Sequence, residues 1–342
     1  MKKVLIISSP FFDYQTSVGR AFADLNYEVL IETYDEPIHP FKGLLRWRHK
    51  LAKNKQKLRD KSKQKYNSYI KQVYDTYSPD IVFTYNGTIL YSETLAYFRQ
   101  KSKVLLWMYD SVLRSDRSQC INHIDYVDGF FCFEGKDVVY FKSLNKTAYF
   151  LPLACDTHVY YPIENKKDID ILFVGTIYTS PNRIRILKLI ATKYSHLNLL
   201  FYGHYKPYYK NLMKWLFSEN RKVFKNVNIA PEKVNELFSR TKIALNIHNA
   251  QSTNGANQRV FEIGGAKAYQ ICDKNSYIQS LYPNGEAGLY TSDEELFALI
   301  DEAILHDKSV NAAKGYEIII NGQTFKHRVE EMLKTIGIGI AS

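Results

Sequence analysis

"KIALNIHNAQSTNGANQRVFEIGGAKAYQICD", Lys242 to Asp273, holds the smallest unit from which the fold can be read. An apolar run, "KIALNIH", gives way to a loop of Asn, Gln, Ser, Thr and Gly. A helical segment opens with Arg-x-x-Glu, and a second apolar run, "QICD", closes the stretch. Strand, helix and strand in that order predict a parallel pair joined by a helical crossover. Loops of small polar residues leave backbone N–H groups available, and the first turn of the following helix adds orphan donors and a positive dipole end. Such a junction suits a phosphate group.

The same alternation runs outward in both directions. Upstream, "KVLIIS", "YEVLIE", "DIVFTYN", "KVLLWMY", "GFFCF" and "AYFLPL" read as strands with helical segments between them. Closer by, "DIDILFVG", "LNLLFYG" and "NVNIA" repeat the scheme. The chain of 342 residues is long enough for two domains of about 150 residues each. We therefore expect an α/β protein of two Rossmann-like halves with parallel sheets: residues 1–155, an irregular linker at 156–168 holding Pro162, and residues 169–342. Two such halves are expected to face each other across a cleft at the carboxyl ends of their strands.

Composition narrows the classes. Four cysteines, Cys120, Cys132, Cys155 and Cys272, have neither C-x-x-C spacing nor a small-domain framework, which favours a reducing cytosol over disulfides or zinc. The apolar run in "MKKVLIISSP" is too short for a secretion signal, and no stretch approaches the roughly 18 apolar residues that span a bilayer. Net charge is +11, yet from Lys42 to Lys71 there are 12 basic residues and one acid, Asp60, leaving 34 basic and 34 acidic residues elsewhere. This segment, within a basic helix expected at about 42–77, carries an apolar stripe: Leu44, Trp47, Leu51, Leu58, Tyr66, Tyr69 and Val73. It suits the surface of an anionic membrane, placing the chain in the cytoplasm or on the membrane's inner face, or else a solvated helix face. No nucleic-acid module is visible.

Taken together, "DIDILFVGTIYTSPNRIRIL", "KIALNIH", "NGANQRVFEIGGAKAYQICD" and "NGQTFKHRVEEML" resemble the nucleotide-sugar domain of the glycosyltransferase group 1 superfamily. The likeness is to its spore-maturation-protein (CgeB-like) branch. "LPLACDTHVYYP" is similar to that group's interdomain linker and "LWMYDS" to its N-terminal W-x-x-D segment. The resemblance implies a GT-B fold and transfer of a sugar from a nucleoside-diphosphate donor, by family frequency a UDP-sugar, to a glycan, lipid-linked or protein acceptor in cell-envelope glycan assembly. It implies retention of configuration and a leaving phosphate neutralised by protein groups, with no metal or other cofactor. A C-terminal helix around "FKHRVEEML" that packs back on the first domain is also implied.

Residue by residue, Arg259 is placed to take a phosphate with its planar fork. Glu262, one turn on, is placed to accept from ribose hydroxyls as in the family. The alternative for this pair is a surface salt bridge. Gly255, Ala256 and Asn257 line the approach to the helix. Gly175 and Thr176 end a strand, Arg183 follows at a helix start where Pro181 suits the first turn, and His204 closes another strand; all four are candidate donor contacts. The family carries a further glutamate eight positions before Glu262. Here that position is Asn254, which cannot supply a carboxylate's charge and so keeps open the reading of a non-catalytic nucleotide-sugar or membrane-binding subunit. Asp110 is the first choice for an acceptor-side base, ahead of Asp13 and Glu134. Asp168 and Asp170 imitate a metal-binding D-x-D but stand at a strand's amino end. Asn86 and Asn145 are sequons only in a secreted chain.

Overall fold

In the computed structural model, residues 1–10, 13–34, 55–177, 180–204, 222–249 and 252–339 are described. The candidates Leu44, Trp47 and Leu51 and the lysines at 42–54 lie outside them. The chain divides into one unit of Met1–Pro152 with Phe325–Ser342, and a second of Leu153–Thr324.

The first unit is built on β1 (Lys3–Ser8), α1 (Tyr14–Ala23), β2 (Glu28–Thr33), α2 (Lys55–Tyr77), β3 (Ile81–Tyr85), α3 (Ser92–Arg99) and β4 (Lys103–Met108). A 3₁₀ turn at Ser118–Tyr126 leads to β5 (Gly129–Cys132), α4 (Gly135–Ser143) and β6 (Tyr149–Phe150). The strands pair in parallel in the order β2-β1-β3-β4-β5-β6, with Val4 opposite both Val29 and Ile81 and Leu105 opposite Gly129. β3 is buried at every residue and β4 at all but its first. A strand covered on both faces needs an unbroken apolar run, and "IVFTY" and "VLLWM" supply it. The buried Trp107 indole donates to the Leu151 carbonyl at 3.0 Å.

α2 turns Asn67, Ile70 and Tyr74 inward, whereas Tyr69, assigned to the stripe, is 45% exposed. Lys63 also belongs to the packed side: its ammonium donates to the Thr88 carbonyl at 3.0 Å and lies over the Tyr91 ring, with burial pulling its pKa down. It is thus not available to a membrane surface, unlike the exposed Lys57, Lys61 and Lys65. Asn67 secures the same loop through Ile89 O and Tyr91 N.

The second unit holds β7 (Ile169–Val174), α5 (Pro181–Lys193), β8 (Leu199–Tyr202), β9 (Phe224–Lys225), α6 (Pro231–Ser239) and β10 (Thr241–Asn246). Then come α7 (Gln258–Gly265), β11 (Gln270–Asp273), α8 (Ser276–Leu281), β12 (Gly288–Tyr290), α9 (Asp293–Leu305) and α10 (Ser309–Ile320). Its sheet is parallel in the order β12-β11-β10-β7-β8-β9, with Ile243 opposite Ile171 and Leu245 opposite Ile271. The chain steps one way from β7 to β8 and β9, then returns to the other side of β7 with β10. The carboxyl ends of β7 and β10 are therefore the switch point at which open α/β sheets bind ligands. The expected strand "NVNIA" lies just past the paired residues Phe224 and Lys225, and its Val227 is 48% exposed.

The last helix, α11 (Phe325–Thr335), belongs to the first unit and packs on α1. Buried Arg328 donates to the Pro152 carbonyl at 2.8 Å. Among the described residues no helix is long and apolar enough to cross a membrane, and all four cysteines are buried and unpaired.

Gly264 and Gly265 permit close packing against a neighbouring helix and the chain before β7. A Cβ on Gly264 would meet Ile319 of α10 at 2.6 Å, and one on Gly265 would meet Cys155 Sγ at 2.2 Å. Gly265→Ala is expected to cost about 1 to 3 kcal/mol by overpacking. Cys155→Ala should restore much of that loss, and denaturant unfolding of the single and double variants measures it. Additive losses would show that the sulfur is not the obstacle.

Candidate functional site

At the switch point of the second unit, Ser180 caps α5 by accepting from Arg183 N at 3.3 Å, and Pro181 fills the first turn. The Arg183 side chain then turns back under the sheet's end. Nε donates to Ile247 O at 2.8 Å, Nη2 to the same oxygen at 2.5 Å, and Nη1 to Thr176 O at 2.8 Å. Three of five N–H donors thus go to carbonyls just past β7 and β10. Arg183 is a brace between these loops and a buried source of positive field more than an open fork. Burial pulls its pKa down to about 10, still cationic at neutral pH.

The loop of residues 252–257 is held from below. Asn246, the last residue of β10, and Asn257, the cap of α7, exchange amide hydrogen bonds at 2.8 and 3.1 Å. Asn257 Oδ1 also accepts from Val260 N at 3.3 Å. Asn275, which caps α8, donates to Gly255 O at 2.8 Å. Gly255 and Ala256 are buried while Asn254 is exposed at the tip. The Asn257 side chain is therefore committed to building the loop.

From α7, Arg259 Nη1 is ion-paired with Glu262 Oε2, and its guanidinium lies 5.7 Å from the centre of the Phe238 ring. Burial raises the Glu262 pKa, against which Arg259 and a hydrogen bond from Tyr160 act. Tyr160 also hydrogen-bonds Arg259. The salt bridge between Arg259 and Glu262 is thus present, but inward and nearly dry: the Glu262 side chain is 7% exposed and that of Arg259 21%. A surface pair worth a few tenths of a kcal/mol does not describe it. Tyr160 was invisible to local spacing because it lies about a hundred residues upstream.

His204 lies two residues past β8 and is exposed, and its carbonyl accepts from Ile177 N at 3.1 Å. Gly175 and Thr176 line the same end, Gly175 N donating to Tyr202 O at 3.0 Å. A pair that the sequence reading passed over stands beside Arg183: His248 Nδ1 is 2.9 Å from Asp273 Oδ1, which also accepts from His248 N at 2.8 Å. Although burial opposes it, these bonds hold the Asp273 carboxyl below its usual range. Asp168 and Asp170 are engaged at the opposite, amino end of β7, Asp168 by Arg240 and Asp170 by Lys242 and Asn198 N.

In the first unit, Asp110 follows β4 and is nearly buried. Arg114 Nη1 reaches it at 2.7 Å, Arg117 Nε at 3.0 Å and Asn86 Nδ2 at 3.3 Å. A carboxylate engaged by two guanidinium groups and an amide is the setting of a charge that shapes its loop. Asn86 is buried, which removes it from the accessible sequons.

Residues 183–334 match a family model described as glycosyl transferase-like. No curated protein matches the chain in sequence. Solved structures match over nearly the whole length. Sucrose-phosphate synthase from Thermosynechococcus elongatus has a TM-score of 0.68 at 13% identity, with 98% of each chain covered. The UDP-forming α,α-trehalose-phosphate synthase from Burkholderia vietnamiensis has a TM-score of 0.65 at 9% identity, covering 98% of this chain and 100% of that one. HepE from Anabaena, in complex with UDP-glucose, has a TM-score of 0.62 at 11% identity over 98% and 99%. At these identities the likeness establishes the fold, which is GT-B.

Proposed function

We propose that the protein transfers a sugar from a UDP-sugar to a glycan, lipid-linked or protein acceptor without a metal ion, retaining the anomeric configuration. The observation that carries this reading is Arg259 in the first turn of α7, together with Arg183 at the carboxyl ends of β7 and β10. In such a transfer the bond from the anomeric carbon to the phosphate oxygen breaks, and the electron pair leaves on the diphosphate. Cations and N–H dipoles fixed where that charge grows lower the barrier most. Arg259 offers a fork and Arg183 a buried field, while the loop containing Gly255, Ala256 and Asn257 is braced so that it need not reorganise. Two GT-B relatives support UDP as the carrier, one by its UDP-forming reaction and one by its bound UDP-glucose.

A thermal-shift screen tests the reading. UDP at a hundredfold excess over its dissociation constant should stabilise the folded chain by about 2.7 kcal/mol, and GDP or ADP by less. Absence of any shift with uridine nucleotides would remove UDP as the carrier. The exposed amide of Asn254, in place of the family's carboxylate, favours one second reading, a subunit that binds the nucleotide-sugar without turning it over. Tight binding with neither transfer nor donor hydrolysis would select it.

Glu262 is assigned to the ribose hydroxyls. For that role its carboxylate must trade part of its pairing with Arg259 and Tyr160 for the incoming hydroxyls. Glu262→Gln is expected to weaken UDP binding by about 1.5 to 3 kcal/mol, the cost of a lost charged hydrogen-bond partner. Calorimetry that finds UDP bound equally well by the variant would leave the pair with a structural role only.

A further inference from the structure

The Nε2 atom of His248 is buried and has no hydrogen-bond partner among the described residues, and the side chain is only 1% exposed. An unpaired buried polar nitrogen costs about 1 to 3 kcal/mol, so native structures keep few of them. The other face of the ring is fully specified. Asp273 Oδ1 accepts from the His248 backbone N–H and lies 2.9 Å from Nδ1, so in the neutral ring Nδ1 carries the proton, since the other tautomer would place a lone pair against the carboxylate. In the neutral ring Nε2 is then an acceptor only. The buried guanidinium of Arg183 stands alongside, its Nε and Nη2 holding the carbonyl of the adjacent Ile247. Phosphate oxygens are themselves acceptors and do not satisfy such an atom. Its partner must be a donor, and in a nucleotide-sugar the donors in number are hydroxyls.

We propose that His248 is a binding residue for the transferred sugar, its Nε2 accepting from a hydroxyl of that sugar, with Asp273 as the positioning residue that fixes the tautomer. His248 stands two residues past β10, at the switch point, next to Ile247, whose carbonyl Arg183 holds. This rests on the UDP-sugar reading and adds to it a contact for the sugar itself, where the arginines serve the diphosphate and Glu262 the ribose.

The test compares UDP with UDP-glucose, as probes, on the full chain by calorimetry. His248→Asn keeps a polar group at the Nδ1 position to meet Asp273 but has nothing at Nε2. His248→Gln keeps an acceptor there. His248→Asn should lose roughly tenfold in affinity for UDP-glucose, one hydrogen bond, with UDP unchanged, and His248→Gln should retain most of the parent's preference. Equal losses for both ligands, or none for either, would overturn the inference while leaving the donor reading in place. A parent that binds neither probe would overturn both.

Discussion

Arg259→Ala is expected to lower turnover by about 10² to 10³, or 2.7 to 4 kcal/mol of transition-state stabilisation, with little change in the melting temperature. Arg259 lies in the first turn of α7, where the helix presents its positive end, and the side chain keeps 21% of its surface accessible. Its carboxylate partner, Glu262, is deeper in the protein, so the guanidinium remains a charge that an incoming anion can share. Removing it also leaves Glu262 buried without its cation, which costs stability. Protonation of Glu262, already favoured by burial, relieves that cost. On the proposed metal-free reading, in which the protein's own cations meet the departing diphosphate, activity should persist in excess EDTA, and Asp170→Ala should turn over normally because that acid pairs with Lys242 at the amino end of β7. Activity abolished by EDTA and restored by manganese, with Arg259→Ala near the parent, would overturn the metal-free assignment.

The central strands were legible because they are short apolar runs inside a doubly covered parallel sheet, where burial on both faces leaves no room for alternation. The exceptions sit at one edge and the other. β9 pairs through only Phe224 and Lys225, so "NVNIA", richer in apolar residues, was the stronger signal and the wrong one. β12, three residues at the opposite edge, is too short to announce itself. What Gly264 and Gly265 pack against could not be read locally, since Ile319 and Cys155 are distant in sequence.

In the candidate site, the pair at Arg259 and Glu262 could be read from spacing because both partners lie on one helix. What spacing could not convey is burial: the same three-residue offset describes a wet surface pair and this inward one. Arg183 was found by its place at a helix start, yet its partners are carbonyls of Thr176 and Ile247, and carbonyls have no sequence signature. Asp110 was chosen for standing after a strand, whereas its environment is set by Arg114, Arg117 and Asn86 together. His248 and Asp273 were both on the page, each at the end of an apolar run. Only the parallel pairing of β10 with β11 brings those ends side by side.

Gly203→Ala should destabilise the second unit by about 4 kcal/mol and lower nucleotide affinity with it. Gly203 has φ of +136°, a conformation that side chains strain at a cost of about 1 to 3 kcal/mol. A Cβ there would also fall 1.9 Å from the carbonyl oxygen of Gly175 and 2.8 Å from its carbon. Both obstacles are backbone, held by Gly175 N to Tyr202 O and Gly203 N to Lys225 O, so neither can rotate away as a side chain would, and overpacking adds about 1 to 3 kcal/mol more. The displaced strand ends are those of β7 and β8, and the first of them leads into Thr176, whose carbonyl receives Arg183. The variant should therefore lose UDP binding at temperatures where circular dichroism still reports a folded chain, because the Arg183 brace fails before the core does. A melting temperature and a UDP affinity both equal to the parent's would show that the Gly175 and Gly203 backbones separate freely, and that the close packing at the end of β7 is not what holds Arg183 in place.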